Sequence, residues 1–255
     1  MPDATVFRQP HNPRNLPPIE ERLIVALDVP TIHEARQLIE TLGDTVSFYK
    51  IGLWLAFAEG VDELIKDLIR NKKRVFLDAK MFDIGKTVEE GVARAADRGV
   101  SFVTVHGDRQ IISSAVKGKR GSDIKIFSIT VLTSLSDADL VSMGYAITAQ
   151  ALVHLRVREA IRYGCDGIIA SAHDDPDDIR RVAGTESLLI ATPGIRTDDE
   201  SKDDHRRWSN PTDAIARGAD YLVMGRSVIG YPQPAERAKY IVDLMKLGEK
   251  QRQST

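Results

Sequence analysis

The sequence predicts an α/β chain folded as a single (β/α)8 TIM barrel. Short runs rich in Val, Ile and Leu recur about eight times. Each is followed by a longer stretch with helical periodicity, and this alternation gives parallel strands joined by crossover helices. Three joins also share a pattern: Arg98-Gly99-Val100-Ser101, Tyr163-Gly164-Cys165-Asp166 and Arg217-Gly218-Ala219-Asp220 each supply a glycine before a strand. A helix C-terminus needs a residue with positive φ at that point. Evenly spaced units of this number fit a closed barrel better than a doubly wound sheet, which usually has fewer strands.

In chain order, the apolar runs place strands at residues 23–28, 47–51, 74–79, 102–106, 125–131, 167–171, 188–192 and 221–224. Between them, helical spacing is clear at residues 32–42, 61–70, 88–97, 148–163 and 235–247. Before the first strand, Pro2, Pro10, Pro13, Pro17 and Pro18 stand among polar residues, with Asp3 early and no apolar core segment. That stretch is unlike a signal peptide. The expected organisation is a flexible tail over residues 1–21, one barrel domain over 22–248 and a polar C-terminal tail over 249–255.

Composition narrows the function. The chain has 255 residues, 42% hydrophobic and 28% charged, enough to bury a sizeable core. A formal net charge of -2 and a pI near 6.3 give no chain-wide reason to expect nucleic acid or an anionic membrane as partner. No apolar run is long enough to span a bilayer. The single Cys165 excludes an intrachain disulfide and every cysteine-based metal pattern, which fits a reducing, cytoplasmic setting. It reads as a small buried hydrophobe. The acidic cluster Asp174-Asp175-Pro176-Asp177-Asp178 reads as a helix start, with Asp175 as N-cap and Pro176 in the first helical position, and no metal is expected there.

Barrel enzymes work at the C-terminal ends of their strands, so polar residues closing apolar runs are the first candidates. Asp28 closes the first run, Lys50 sits in the second, and Asp78 and Lys80 close the third. His106, Thr133, Ser171 with His173, Arg196 and Arg226 lie at or just past the others. Most of these could simply be wet strand ends. Asp78 and Lys80 are harder to dismiss, because residues two apart on a strand share a side and would both face the mouth. Asp83 follows one turn later. A lysine held between carboxylates keeps its proton, which suits a proton donor and not a Schiff-base nucleophile.

A second constellation suggests a phosphate site. Thr192-Pro193-Gly194-Ile195-Arg196 ends the seventh run and Met224-Gly225-Arg226-Ser227 the eighth. Barrels commonly hold phosphate on these two loops, through backbone N–H groups and cations. Between them, residues 197–210 are polar apart from Trp208 and read as a mobile lid over an anionic ligand.

Taken together, these segments resemble the orotidine 5'-monophosphate decarboxylase family (type 1). The resemblance runs from about Arg22 to Val242 and includes Ala26-Leu27-Asp28, Tyr49-Lys50-Ile51-Gly52, Phe76 to Ile84, Thr104-Val105-His106, Thr130 to Ser134 and the two phosphate-loop segments. It implies a cofactor-free, metal-free decarboxylation of orotidine 5'-monophosphate to UMP and CO2 in de novo pyrimidine biosynthesis. Lys80 would protonate C6, held by Asp78 and Asp83. Asp83, Ile84 and Thr87 would reach the neighbouring subunit's site in a homodimer. Asp28 and Lys50 would contact the ribose, Thr133 would line the base pocket, and Arg196, Gly225 and Arg226 would hold the phosphate.

Two departures stand out. After Asp83-Ile84 the family commonly has Pro-Asn, where this chain has Gly85-Lys86; and the lid commonly has a glutamine before its basic pair, where His205 precedes Arg206-Arg207. His205 can still donate a hydrogen bond to phosphate, with some sensitivity to pH. The nearest rivals are the related magnesium-dependent sugar-phosphate enzymes that share Asp-x-Lys-x-x-Asp. They offer a glutamate as metal ligand where this chain has Lys50. A catalytically silent nucleotide-binding barrel is the rival of another kind, and intact Asp78 and Lys80 argue against it.

Overall fold

The computed structural model describes residues 16–132, 134–171, 174–199 and 209–254. Eight parallel strands close in chain order, β1 pairing with β8 to complete the barrel. They are β1 Leu23–Ala26, β2 Phe48–Gly52, β3 Arg74–Met81, β4 Phe102–Val105, β5 Lys125–Ile129, β6 Gly167–Ile169, β7 Leu189–Thr192 and β8 Tyr221–Met224. The crossovers carry α1 Ile32–Leu42, α2 Leu53–Ala56, α3 Val61–Arg70, α4 Gly85–Asp97, α5 Arg109–Gly118, α6 Asp137–Ser142, α7 Ala149–Arg162, α8 Pro176–Ala183 and α9 Pro211–Ala216. Past β8 come α10 Arg226–Ile229 and α11 Pro234–Gln253.

Local chemistry explains the helix ends. Thr31 caps α1 and Thr148 caps α7 through their side-chain oxygens, and Asp175 caps α8 with Pro176 in the first turn. The three join glycines adopt the left-handed conformation their position demands, at φ 77° for Gly99, 80° for Gly164 and 106° for Gly218.

Strand residues alternate between two buried clusters. Tyr49, Ile51, Val75, Val103, Ile126, Ile168 and Leu222 face the helices. Ile24, Phe48, Phe76, Phe102, Phe127, Leu189, Tyr221 and Val223 fill the barrel interior. Phe102 is the hub of this floor. Its ring centroid lies 4.8 Å from Phe48, 4.5 Å from Phe127 and 5.2 Å from Tyr221, in edge and stacked contacts that favour aromatic pairs. Alternation then dictates what stands above the floor: two residues on from Phe48, Phe76 and Phe102 are Lys50, Asp78 and Thr104.

Several boundaries differ from the sequence expectation. β3 runs to Met81, two residues past the expected end, because its pairing with β4 shifts register between Leu77 and Met81. β5 and β6 stop at Ile129 and Ile169, before the expected 131 and 171. Both chain ends are drawn onto the barrel more than the expected tails at 1–21 and 249–255 suggest. Ile19 is buried in a 3-10 turn spanning Ile19–Arg22, and α11 continues to Gln253. Ion pairs explain the extension: Glu249 lies 2.9 Å from Arg22 and Lys246 lies 3.0 Å from Glu20. Among the described residues no helix is long and apolar enough to cross a membrane.

Truncating the hub of the floor tests this account. Phe102→Ala should destabilise the protein by about 3–5 kcal/mol, read from the urea midpoint, because the surrounding rings cannot collapse into the space. A loss below ~1 kcal/mol would show that the floor is not cooperative.

Candidate active site at the C-terminal mouth of the barrel

At the mouth of the first three strands, four side chains form an alternating line of charge. Lys50 Nζ lies 3.2 Å from Asp28 Oδ1 and 3.5 Å from Asp78 Oδ2. Lys80 Nζ lies 2.8 Å from Asp78 Oδ1. The two inner side chains are covered, Lys50 to 11% and Asp78 to 14% exposure, while Lys80 and Asp28 remain open at 42% and 45%. The line therefore has a fixed interior and two ends presented to solvent.

Burial pushes the Asp78 carboxyl up, but the charges of Lys50 and Lys80, with hydrogen bonds from Lys80 and Thr104, outweigh it and hold Asp78 below its ordinary value. Asp78 is thus an anion held between two ammonium groups.

Lys80 itself sits at φ 46°. A non-glycine residue costs roughly 1–2 kcal/mol in that left-handed region. The register shift of β3 explains how it gets there. Thr104, fully buried on β4, accepts a hydrogen bond from the Lys80 N–H at 2.9 Å and donates one to Asp78 Oδ1 at 2.9 Å. Pairing resumes where His106 N donates to Met81 O at 2.9 Å. Asp78 and Lys80 do meet, as alternation predicts. They meet through a bulge pinned by Thr104, not along a regular strand.

Of the two carboxylates expected to flank Lys80, one chain supplies only Asp78. Asp83 is exposed, and its Oδ1 accepts from the N–H of Ile84 at 2.6 Å; among the described residues no ion pair joins it to Lys80. Ile84 and Thr87 are exposed beside it. His106 packs, with its ring 4.6 Å from Phe82 and its Nδ1 2.5 Å from Asp108 Oδ2.

Across the mouth, the expected phosphate loops lie side by side. Gly194 takes φ 78°, and the chain then presents Arg196, whose Nη1 donates to Ile195 O at 2.9 Å and to Ser227 Oγ at 3.1 Å. Arg196 N donates to Ser209 O at 3.1 Å, so the two ends of the long loop meet beside this arginine. Gly225 opens α10 and is followed by the exposed Arg226. Two glycines make room for Asp28. A Cβ at Gly225 would lie 3.2 Å from Asp28 Oδ2, and one at Gly52 would lie 3.2 Å from both Asp28 Oδ1 and Lys50 Nζ. Asp28 is thus the link between the charged line and the loops after β7 and β8. Thr133, His173, His205 and the body of the expected lid lie outside the described residues.

The model of the family described as "Orotidine 5'-phosphate decarboxylase / HUMPS family" matches residues 21–241. The chain belongs to this family. The match spans all eight strands, the charged line and the loops after β7 and β8. The chain is 46% identical over 228 residues to the orotidine 5'-phosphate decarboxylase of Caulobacter vibrioides (strain NA1000 / CB15N), covering 89% of this chain and 97% of that protein. It is 45% identical over 233 residues to the orotidine 5'-phosphate decarboxylase of Afipia carboxidovorans, covering 91% and 95%. Among solved structures, the fold is similar to the orotidine 5'-phosphate decarboxylase from Lactobacillus acidophilus, with a TM-score of 0.78, 30% identity and coverage of 88% and 99%.

Sequence reasoning passed over Thr104 as a site residue. The signal was present: it is the polar residue of Phe102-Val103-Thr104-Val105 and shares the interior parity of Phe102. Removing its hydroxyl while keeping its shape strands a buried N–H and a carboxylate oxygen. Thr104→Val should therefore lower stability by about 1–3 kcal/mol, with Thr104→Ser close to wild type, as read by urea denaturation. Equal midpoints for the two variants would mean that the hydroxyl does not hold the bulge.

Proposed function

We propose that the chain decarboxylates orotidine 5'-monophosphate to UMP and CO2 without metal or cofactor, using Lys80 as the proton donor to C6. The observation that carries this reading is the line Asp28, Lys50, Asp78 and Lys80 facing the two arginine loops across one mouth. The C6–carboxylate bond breaks, its electron pair stays on C6, CO2 departs, and the Lys80 ammonium delivers the proton; solvent then restores Lys80. A carbanion forming with no electron sink needs a fixed positive charge in a site that sheds water. An ammonium tied 2.8 Å from the Asp78 carboxylate supplies that charge.

The other roles are those that the family resemblance implies, and the geometry of Asp28, Lys50, Arg196, Gly225 and Arg226 at the mouth supports its share of them. Asp28 and Lys50 face the ribose; Arg196, Arg226, Gly225 and His205 take the phosphate; Thr133 lines the base pocket. Phosphate binding on the far side supplies energy that serves the chemical step. The donor set argues against a magnesium-dependent sugar-phosphate chemistry. Asp28 and Asp78 would have to serve as ligands, and the Lys50 ammonium already stands between them at 3.2 and 3.5 Å.

A second copy of the chain completes the site in this reading. Trp54 on α2, Phe57 at its end, and Phe82 and Ile84 after β3 are exposed at 59%, 82%, 68% and 73%. Such a patch beside a site marks an interface. Asp83, Ile84 and Thr87 then reach the partner's mouth, supplying the carboxylate that one chain lacks near Lys80. The barrel over residues 22–248 is the catalytic unit, and a cytoplasmic setting suits its one buried thiol, Cys165.

The decisive assay follows loss of orotidine 5'-monophosphate absorbance in excess EDTA. Wild-type turnover should persist, and Lys80→Ala should lose at least about 10²–10⁴-fold in kcat. Turnover that appears only with added Mg²⁺ would move the chain to the sugar-phosphate enzymes. For the shared site, Ile84→Asp should shift sedimentation from a dimer towards the 28.2 kDa monomer and reduce activity. A wild type that sediments as a monomer while turning over fully would eliminate that part.

A further inference from the structure

Above the last rung joining β7 and β8, at Thr192 and Leu222, no strand pairing fixes the distance between the loops that carry Arg196 and Arg226. Among the described residues, a side chain of α11 crosses that gap. Arg237, in the first turn of α11, is 8% exposed although it carries a full charge. Its Nε donates to the carbonyl of Ser227 at 3.1 Å, immediately after Arg226. Its Nη2 donates to the hydroxyl of Thr197, immediately after Arg196. The fork also grips Asp199, with Nη1 2.9 Å from Oδ2 and Nη2 3.1 Å from Oδ1. The guanidinium lies 3.8 Å from the Tyr231 ring centroid, which fixes its plane.

We propose that Arg237 is a positioning residue for phosphate recognition, setting the spacing of Arg196 and Arg226 by holding the residue that follows each of them. This rests on the phosphate reading of the two loops given above. Arg237 acts from within the fold: it donates to Thr197, Asp199, Ser227 and the Tyr231 hydroxyl, and Ser227 in turn receives Arg196 on its hydroxyl at 3.1 Å. The result is a continuous chain of contacts, Arg196 to Ser227 to Arg237 to Thr197, that closes back on the residue beside Arg196.

The fork geometry matters. Nε and the two terminal nitrogens address two loops, at Ser227 and at Thr197 with Asp199, at fixed angles, which an ammonium cannot do. Hydrogen bonding from Arg237 leads the interactions that hold the Asp199 carboxyl down at about 2, so the clasp stays charged throughout the range in which the protein would be assayed.

The test compares binding of UMP and of uridine, which differ only in the phosphate, to wild type, Arg237→Met and Arg237→Lys. Arg237→Met keeps an apolar stem in the buried slot and removes the fork. It should weaken UMP about ten- to a hundred-fold while leaving uridine unchanged, and raise KM for orotidine 5'-monophosphate more than it lowers kcat. Arg237→Lys should recover only part of the loss. If UMP and uridine weaken by the same factor, or neither weakens, the positioning role is overturned. Should Arg237→Met fail to fold, Asp199→Asn removes the bidentate partner at unchanged shape and should show the same selective loss of UMP. A wild type that binds UMP more tightly than uridine but has no turnover would sink the decarboxylase reading and leave the Arg237 comparison standing.

Discussion

The mouth of the barrel depends on one largely covered anion, Asp78. Asp78 has little water around it, and it keeps its charge only because Lys50 and Lys80 stand on either side and Thr104 donates to it. The dependence is mutual. Without Asp78, Lys50 would be a covered cation facing only Asp28, and Lys80 would lose the group that aims it. Removing one member of such a set leaves its partners with uncompensated charge, which is why these positions act as a unit.

The barrel supplies the rigidity this arrangement needs. Period-two alternation puts Phe48, Phe76 and Phe102 in the floor and Lys50, Asp78 and Thr104 one layer above, so polar groups rest directly on packed aromatic rings. Strands alone fix only the lower part of the site. Beyond the final rungs the chain needs side-chain ties, and two kinds appear: Thr104 for the bulge after Asp78, and the Ser227 and Arg237 contacts for the loops after β7 and β8. Secondary structure sets the positions of the strand ends, and individual hydrogen bonds set what extends past them.

Much of this was legible before any coordinates. Helices at 32–42 and 61–70 and the strand at 221–224 match residue for residue, because strong periodicity and clean breakers bound them. Asp28, Lys50, Asp78 and Lys80 were found together because charges at the ends of apolar strands have few structural explanations. The bulge at Lys80 was not legible, since nothing in Asp78-Ala79-Lys80-Met81 marks a positive φ at a lysine. Thr104 and Arg237 escaped for a different reason. A lone threonine in a strand and an arginine in a helix are ordinary residues, and only three-dimensional contact reveals what each one holds. Pairing of Asp83 with Lys80 was expected and is not made within one chain, because intrachain backbone geometry turns that carboxylate to its own neighbour, Ile84.

The left-handed backbone at Lys80 sets the local fold against the side chain it carries. A chain selected only to fold would place glycine at this position, recovering free energy that a lysine forfeits there. Stability and chemistry thus pull on the same residue in opposite directions. Lysine in place of glycine means that the side chain meeting Asp78 is carried on backbone that the fold alone would not choose for it.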